Sequence, residues 1–136
     1  MERYKAIAKD IFNELGEGYD ECIYHKAFEV GLRLNKIDYE SKSIVPVSYK
    51  GYNVGEQEID LIIRIPNNEM IIELKSIPEV LEDDKAQLHR YMKLLRAKRG
   101  LLINFTQCGR AKKKDYSKLY TSNDLEPEYY CVGGTN

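Results

Sequence analysis

The sequence predicts an α/β fold with a mixed sheet, its elements in the order α-α-β-β-β-α-β, in a single domain. Apolar residues recur at three- and four-residue spacing through the first 35 positions, which is helical periodicity. Between Ser43 and Lys75 the pattern changes to short alternating or continuous apolar runs bounded by Pro, Asn and Gly, which is strand chemistry. One further helical stretch then leads to the apolar run Leu101 to Phe105, and a strand, helix, strand connection of that length pairs its strands in parallel.

The first helix, Glu2 to about Leu15, follows from Ile7, Ile11, Phe12 and Leu15, with Gly16 and Gly18 as stops. A second helix starts near Asp20, whose side chain can cap it, and runs to about Asn35. Its stripes are Ile23, Ala27, Val30, Leu34 and, beside them, Glu21, Tyr24, Phe28. Tyr24 reads as a core aromatic. Ser43 to Tyr49 is the first strand, and Pro46, which has no N–H for a ladder, places it at an edge or a bulge. Lys50 to Asn53 is the turn into the strand Gln57 to Ile65, predicted to face Gln57, Ile59, Leu61, Ile63 and Ile65 one way and Glu58, Asp60, Ile62 and Arg64 the other. Pro66-Asn67-Asn68 turns the chain back into Met70 to Lys75, which Pro78 stops. The third helix spans about Val80 to Lys98 on Leu88, Tyr91, Met92 and Leu95, with Gly100 as its expected C-terminal cap. Leu101 to Phe105 is a strand buried on both faces. The tail from about residue 107 receives no elements, and its end from Val132 is expected to fray.

A chain of 136 residues is one ordinary domain, and its net charge of −1 excludes a general cationic coat. Any contact with nucleic acid must come from a local patch. No apolar stretch approaches the roughly 20 residues of a membrane span, and the start lacks a signal-peptide core, so no membrane association and an intracellular location, cytoplasmic or nuclear, are expected. Cys22, Cys108 and Cys131 are widely spaced with no Cys-x-x-Cys, which argues against a four-cysteine zinc or iron–sulfur site.

Charges inside apolar strands need a reason, and for Glu73-Leu74-Lys75 alone a half-exposed edge strand with a solvated Glu and Lys is the plainer one. Glu73 and Lys75 point the same way from one strand, and Asp60 is an acid within a run of aliphatics. A two-residue loop at Asn67-Asn68 sets Asp60 opposite Lys75, and a four-residue loop from Ile65 to Asn68 sets it opposite Glu73. Either register gathers the three groups, whereas a one-residue slip would bury the acid among aliphatics. Two carboxylates and a lysine suit a divalent metal with oxygen ligands beside a phosphodiester. Gln87 and Tyr91, four apart, share a helix face, and Gln87 reads equally as a satisfied amide at the rim of the core. Glu21 is explained at least as well by the helix dipole. Arg110, Lys112, Lys113 and Lys114, followed by tyrosines, read as a phosphate-binding patch or as a solvated loop.

The element order, with Asp60, Glu73-x-Lys75 and Gln87-x-x-x-Tyr91, resembles the PD-(D/E)XK nuclease superfamily, in the branch of recombination exonucleases and junction resolvases. Gly18-x-x-Glu21-x-x-Tyr24 and Gly100-Leu101-Leu102-Ile103-Asn104-Phe105 are similar to the signatures of its small GxxExxY proteins. Ile59 stands where the superfamily's name motif has a proline. The resemblance, covering about residues 5 to 106, implies a restriction-endonuclease-like fold and a metal-dependent nuclease acting on DNA or RNA, with DNA first. It implies Mg²⁺ or Mn²⁺ held by Asp60, Glu73, the Leu74 carbonyl and Glu21. Lys75 would act on the attacking water, and Gln87 and Tyr91 on the substrate side. A homodimer is compatible with it. The competing class is a module on a nuclease fold that binds nucleic acid or a protein without cutting.

Overall fold

In the computed structural model, residues 1–107 and 125–133 are described. They form helices α1 (Glu2–Leu15), α2 (Glu21–Leu34) and α3 (Glu82–Leu95) and strands β1 (Tyr39–Tyr49), β2 (Tyr52–Ile63), β3 (Met70–Lys75), β4 (Arg99–Asn104) and β5 (Glu128–Val132). The strands lie in one sheet in sequence order, β1 to β5. The β3 and β4 pair is parallel, as the α3 crossover requires, and the other three pairs are antiparallel.

Helices cover both faces of the sheet, which is why β3 and β4 are apolar almost throughout. On one side Tyr4, Ile7, Phe12, Tyr24, Phe28 and Leu32 of α1 and α2 pack on Leu61, Ile63, Ile72, Leu74, Leu101 and Ile103. On the other, Leu88, Tyr91 and Met92 of α3 pack on Ile59, Ile62, Ile71 and Leu102. Gly100 lies in β4 beneath α3, where an added Cβ would stand 2.6 Å from the Met92 sulfur and 3.1 Å from Leu88 Cδ1. It is therefore a close-approach glycine, not the helix cap expected of it. The cap is Arg96, in the left-handed region at φ 55°, so α3 ends at Leu95, short of Lys98.

Other expectations also give way. Asp20 stands at the N-cap of α2 but its side chain makes no capping bond. The inner face of α2 is Tyr24, His25, Phe28 and Leu32, while Ile23, Val30 and Leu34 are exposed. A strand forms where the tail received none: β5 zips onto β4 from Gly100↔Val132 to Asn104↔Glu128, and Val132 is its last residue rather than a frayed end.

The β1–β2 hairpin is longer than its sequence pattern suggests, turning at Lys50 (φ 49°) and Gly51 (φ 84°). Its outer half has no third strand beside it, because β3 pairs with β2 only over Leu61 to Ile63. Ile44, Tyr49, Tyr52 and Val54 are exposed on this arm. Pro46 lies on β1, the edge strand, where a missing N–H costs no ladder bond.

Candidate active site

The β2–β3 register is Ile63↔Met70, Ile62↔Ile71 and Leu61↔Ile72. This is the register of a four-residue loop, and carried one step further it puts Asp60 across from Glu73. At that step the backbone ladder gives way to side chains. The Asp60 N–H donates to Glu73 Oε1 at 3.2 Å, and the Leu74 N–H donates to Asp60 Oδ2 at 2.9 Å. Each carboxylate thus takes a backbone donor of the opposite strand, and the two acids are pinned at the parting of β2 and β3.

The strict alternation expected of β2 fails here too. Ile59 joins Ile62 under α3, while Leu61 and Ile63 lie under α1 and α2. Opposite the break, Lys42 of β1 has φ 52°, and the ladder passes from Ser41↔Leu61 to Ser43↔Ile59 without it. A lysine held at positive φ inside a strand is strained, and such strain gathers at functional sites.

Asp60 also lines a cavity of about 240 Å³ with Glu21, Cys22, His25, Lys42 and Glu58. Glu21 thus comes to the site from the first turn of α2. Its carboxyl is raised above the ordinary range by partial burial first and by Asp60 second. The segment leading into α2 is held by Tyr24: its hydroxyl donates to the Gly16 carbonyl at 2.6 Å, and its ring stacks on Phe105 with centroids 4.5 Å apart. The Gly18 N–H donates to Gln107 Oε1 at 2.7 Å. Tyr24 is fully buried, a core aromatic as its sequence position suggested.

Glu73 is only 5% exposed. Burial, and then Asp60, raise its carboxyl well above the usual carboxylate range. Lys75, two residues on, turns to α3: its Nζ donates to Gln87 Oε1 at 3.4 Å and lies 3.9 Å from Asp84 Oδ1. Asp84 was not singled out from sequence, yet it does two things. Its other oxygen accepts the Leu81 N–H at 2.8 Å, fixing the start of α3. Tyr91 is buried one turn beyond Gln87, and its hydroxyl is raised by burial and then by Glu73 and Asp60.

Asn104, like Lys42 and Asp84, received no role from the sequence. Fully buried, it accepts the Ile77 N–H at 2.9 Å and donates to the Ile77 carbonyl at 3.0 Å and to Glu128 at 3.1 Å. Glu128 in turn accepts the Val80 N–H at 3.0 Å. The link between Lys75 and α3 is clamped to β4 and β5 by this network. An amide inside Leu-Leu-Ile-Asn-Phe was the available signal, since a buried amide needs several partners. Arg110, Lys112, Lys113 and Lys114, by contrast, lie outside the described residues.

A metal ion fits this donor set in one particular way. Among the described residues no three His, Cys, Asp or Glu side chains converge into a ready cage. What the gap offers is the Asp60 and Glu73 carboxylates and the Leu74 carbonyl, which leaves β3 by the same edge as its N–H. Mg²⁺ is commonly held by one or two carboxylates while it keeps several waters, so this sparse set suits it better than Ca²⁺. The cation would also offset two carboxylates forced together in a buried place.

The five-stranded mixed sheet flanked by helices defines an α/β domain, with an acid pair and a lysine where β2 and β3 part. The sequence profile of the PD-(D/E)XK nuclease superfamily matches residues 1–117, and the chain belongs to that superfamily, whose nucleases generally use divalent metals. The crystal structure of SSO0001 is similar in fold, with a TM-score of 0.56 at 22% identity. The match covers 82% of this chain and 50% of that one, so this chain spans half the length of that protein. No curated protein matches it. No helix among the described residues is long and apolar enough to cross a membrane.

Proposed function

We propose that this protein is a Mg²⁺- or Mn²⁺-dependent nuclease that hydrolyses phosphodiester bonds in DNA. The observation that carries the reading is the reciprocal pinning of Asp60 and Glu73 at the parting of β2 and β3 with Lys75 two residues away. Asp60, Glu73 and the Leu74 carbonyl would hold the ion, with Glu21 at the mouth of the site. Bound there, it would polarise the scissile phosphate and lower the pKa of a bound water.

The remaining steps belong to the chain's own groups. Lys75 places a cation beside the acid pair, where it orients the attacking water and offsets charge that grows in the transition state. Gln87 and Asp84 hold the lysine from α3. Tyr91 lines the substrate side, and Lys42 brings a second cation from β1. The GxxExxY affiliation of the Gly18, Glu21, Tyr24 segment is supported by the way Tyr24 secures the segment that leads into the helix carrying Glu21. The test is purified protein with Mg²⁺ or Mn²⁺ on end-labelled linear, circular and branched DNA. Divalent-dependent cleavage, abolished by Lys75→Ala, is expected. Binding without cleavage would make the domain a docking module on a nuclease fold.

A further inference from the structure

We infer that the groove between the β1–β2 arm and α3 is a track for one unpaired DNA strand on its way to the acid pair, an inference that rests on the nuclease reading. The groove encloses about 720 Å³. Arg90, Lys93 and Arg96 stand along one wall, and Pro46, Val47, Ser48 and Gln57 form the other, with Tyr91 between. The cations recur every three residues along α3 into its cap, a row that stays on one helix face and covers about 9 Å.

Charge complementarity names the occupant. In a chain with 21 basic and 22 acidic residues, this groove has three cations and no carboxylate in its lining. All three cations are exposed, and none makes an ion pair among the described residues. Their electrostatic reach is therefore directed at a ligand, and a polyanion is what such a row attracts. The asymmetry of the walls then selects one strand over two. A duplex carries phosphates on both flanks and would meet the apolar Pro46–Val47 wall with one of them. A single strand has phosphates along one edge and flat, weakly polar bases along the other, which matches a cationic wall facing the uncharged, partly apolar one of Pro46, Val47, Ser48 and Gln57. Tyr91 joins the track to the site, since it lies one turn from the Gln87 that holds Lys75.

The test is fluorescence anisotropy of a labelled oligothymidylate in EDTA, so that binding is read without cleavage. Wild type should bind the strand more tightly than a blunt duplex of equal length. Replacing Arg90, Lys93 and Arg96 together with Gln should weaken strand binding at least tenfold at ~0.1 M salt. It should also flatten the dependence of log K on log salt by roughly two, since each lost contact on a single strand removes about 0.7. Ser48→Glu, at an exposed position on the opposite wall, should weaken binding in the same direction without touching the row of cations. An unchanged salt slope in the triple variant, or a wild-type preference for duplex, overturns the inference. None of these results bears on Asp60 and Glu73, whose cleavage test stands separately.

Discussion

Replacing Asp60 by Asn and by Ala separates what that carboxylate does for the fold from what it does for chemistry. Its Oδ2 accepts the Leu74 N–H at 2.9 Å, and Leu74 is fully buried. Alanine leaves that N–H without an acceptor, which costs about 1–3 kcal/mol. Asparagine keeps a carbonyl oxygen on the same stem and can keep the bond. Both substitutions remove a negative charge from beside buried Glu73, a change that favours the folded state without metal. Urea unfolding in EDTA should therefore find Asp60→Asn at or above wild-type stability, and Asp60→Ala about 1–3 kcal/mol below Asp60→Asn. Cleavage should fall in both by about 10²–10³-fold or more, the scale of losing one preorganised electrostatic contact. Equal stability of the two variants would refute the structural half of the reasoning. Asp60→Asn cleaving within tenfold of wild type would refute the catalytic half.

Three other outcomes are expected. Gln87→Ala should lower cleavage more than it lowers stability, because its amide steadies Lys75 at the rim and adds little to the core; comparing kcat with the urea midpoint checks this. Gly100→Ala should cost about 1–3 kcal/mol by pressing a methyl against Met92 and Leu88, and combined with Met92→Ala it should cost less than the sum of the two single losses in urea melts. Tyr129, whose hydroxyl donates to the Lys5 carbonyl at 3.1 Å, has its pKa raised by burial to about 12. The folded state holds that proton more tightly than the unfolded chain, so its contribution is present below the ordinary tyrosine pKa of about 10 and is lost as pH climbs towards 12. Tyr129→Phe should flatten that alkaline decline in pH-dependent urea melts.

The sequence was most legible where periodicity and charge agreed. Met70 to Lys75 read as a strand with Glu73 and Lys75 on a common side, and the Asn67-Asn68 turn limited Asp60 to two registers. The four-residue register is the observed one. Alpha-2 was harder, because its aliphatic stripe and its aromatic stripe are both helical, and only the tertiary partners Gly16 and Phe105 show why the aromatic one turns inward. Gly100 looked like a cap because a glycine after basic residues usually is one; its actual reason is the distance between α3 and β4. Lys42 carried no local signal, since its place in the site depends on a positive φ that no neighbouring residue announces. The tyrosine-rich tail concealed β5, whose pairing partner Asn104 lies 24 residues before Glu128.

If Asp60 and Glu73 together hold one catalytic divalent ion, the ion should bind without any nucleic acid present. Titrating Mn²⁺ into the wild-type protein, with the free ion followed by electron paramagnetic resonance, tests it without relying on any substrate. One saturable site is expected in wild type, weakened at least tenfold in both Asp60→Asn and Glu73→Gln and retained in the Arg90, Lys93, Arg96 variant. Wild-type protein that leaves Mn²⁺ free, or a site that survives both carboxylate substitutions, would mean that Asp60 and Glu73 do not hold the ion.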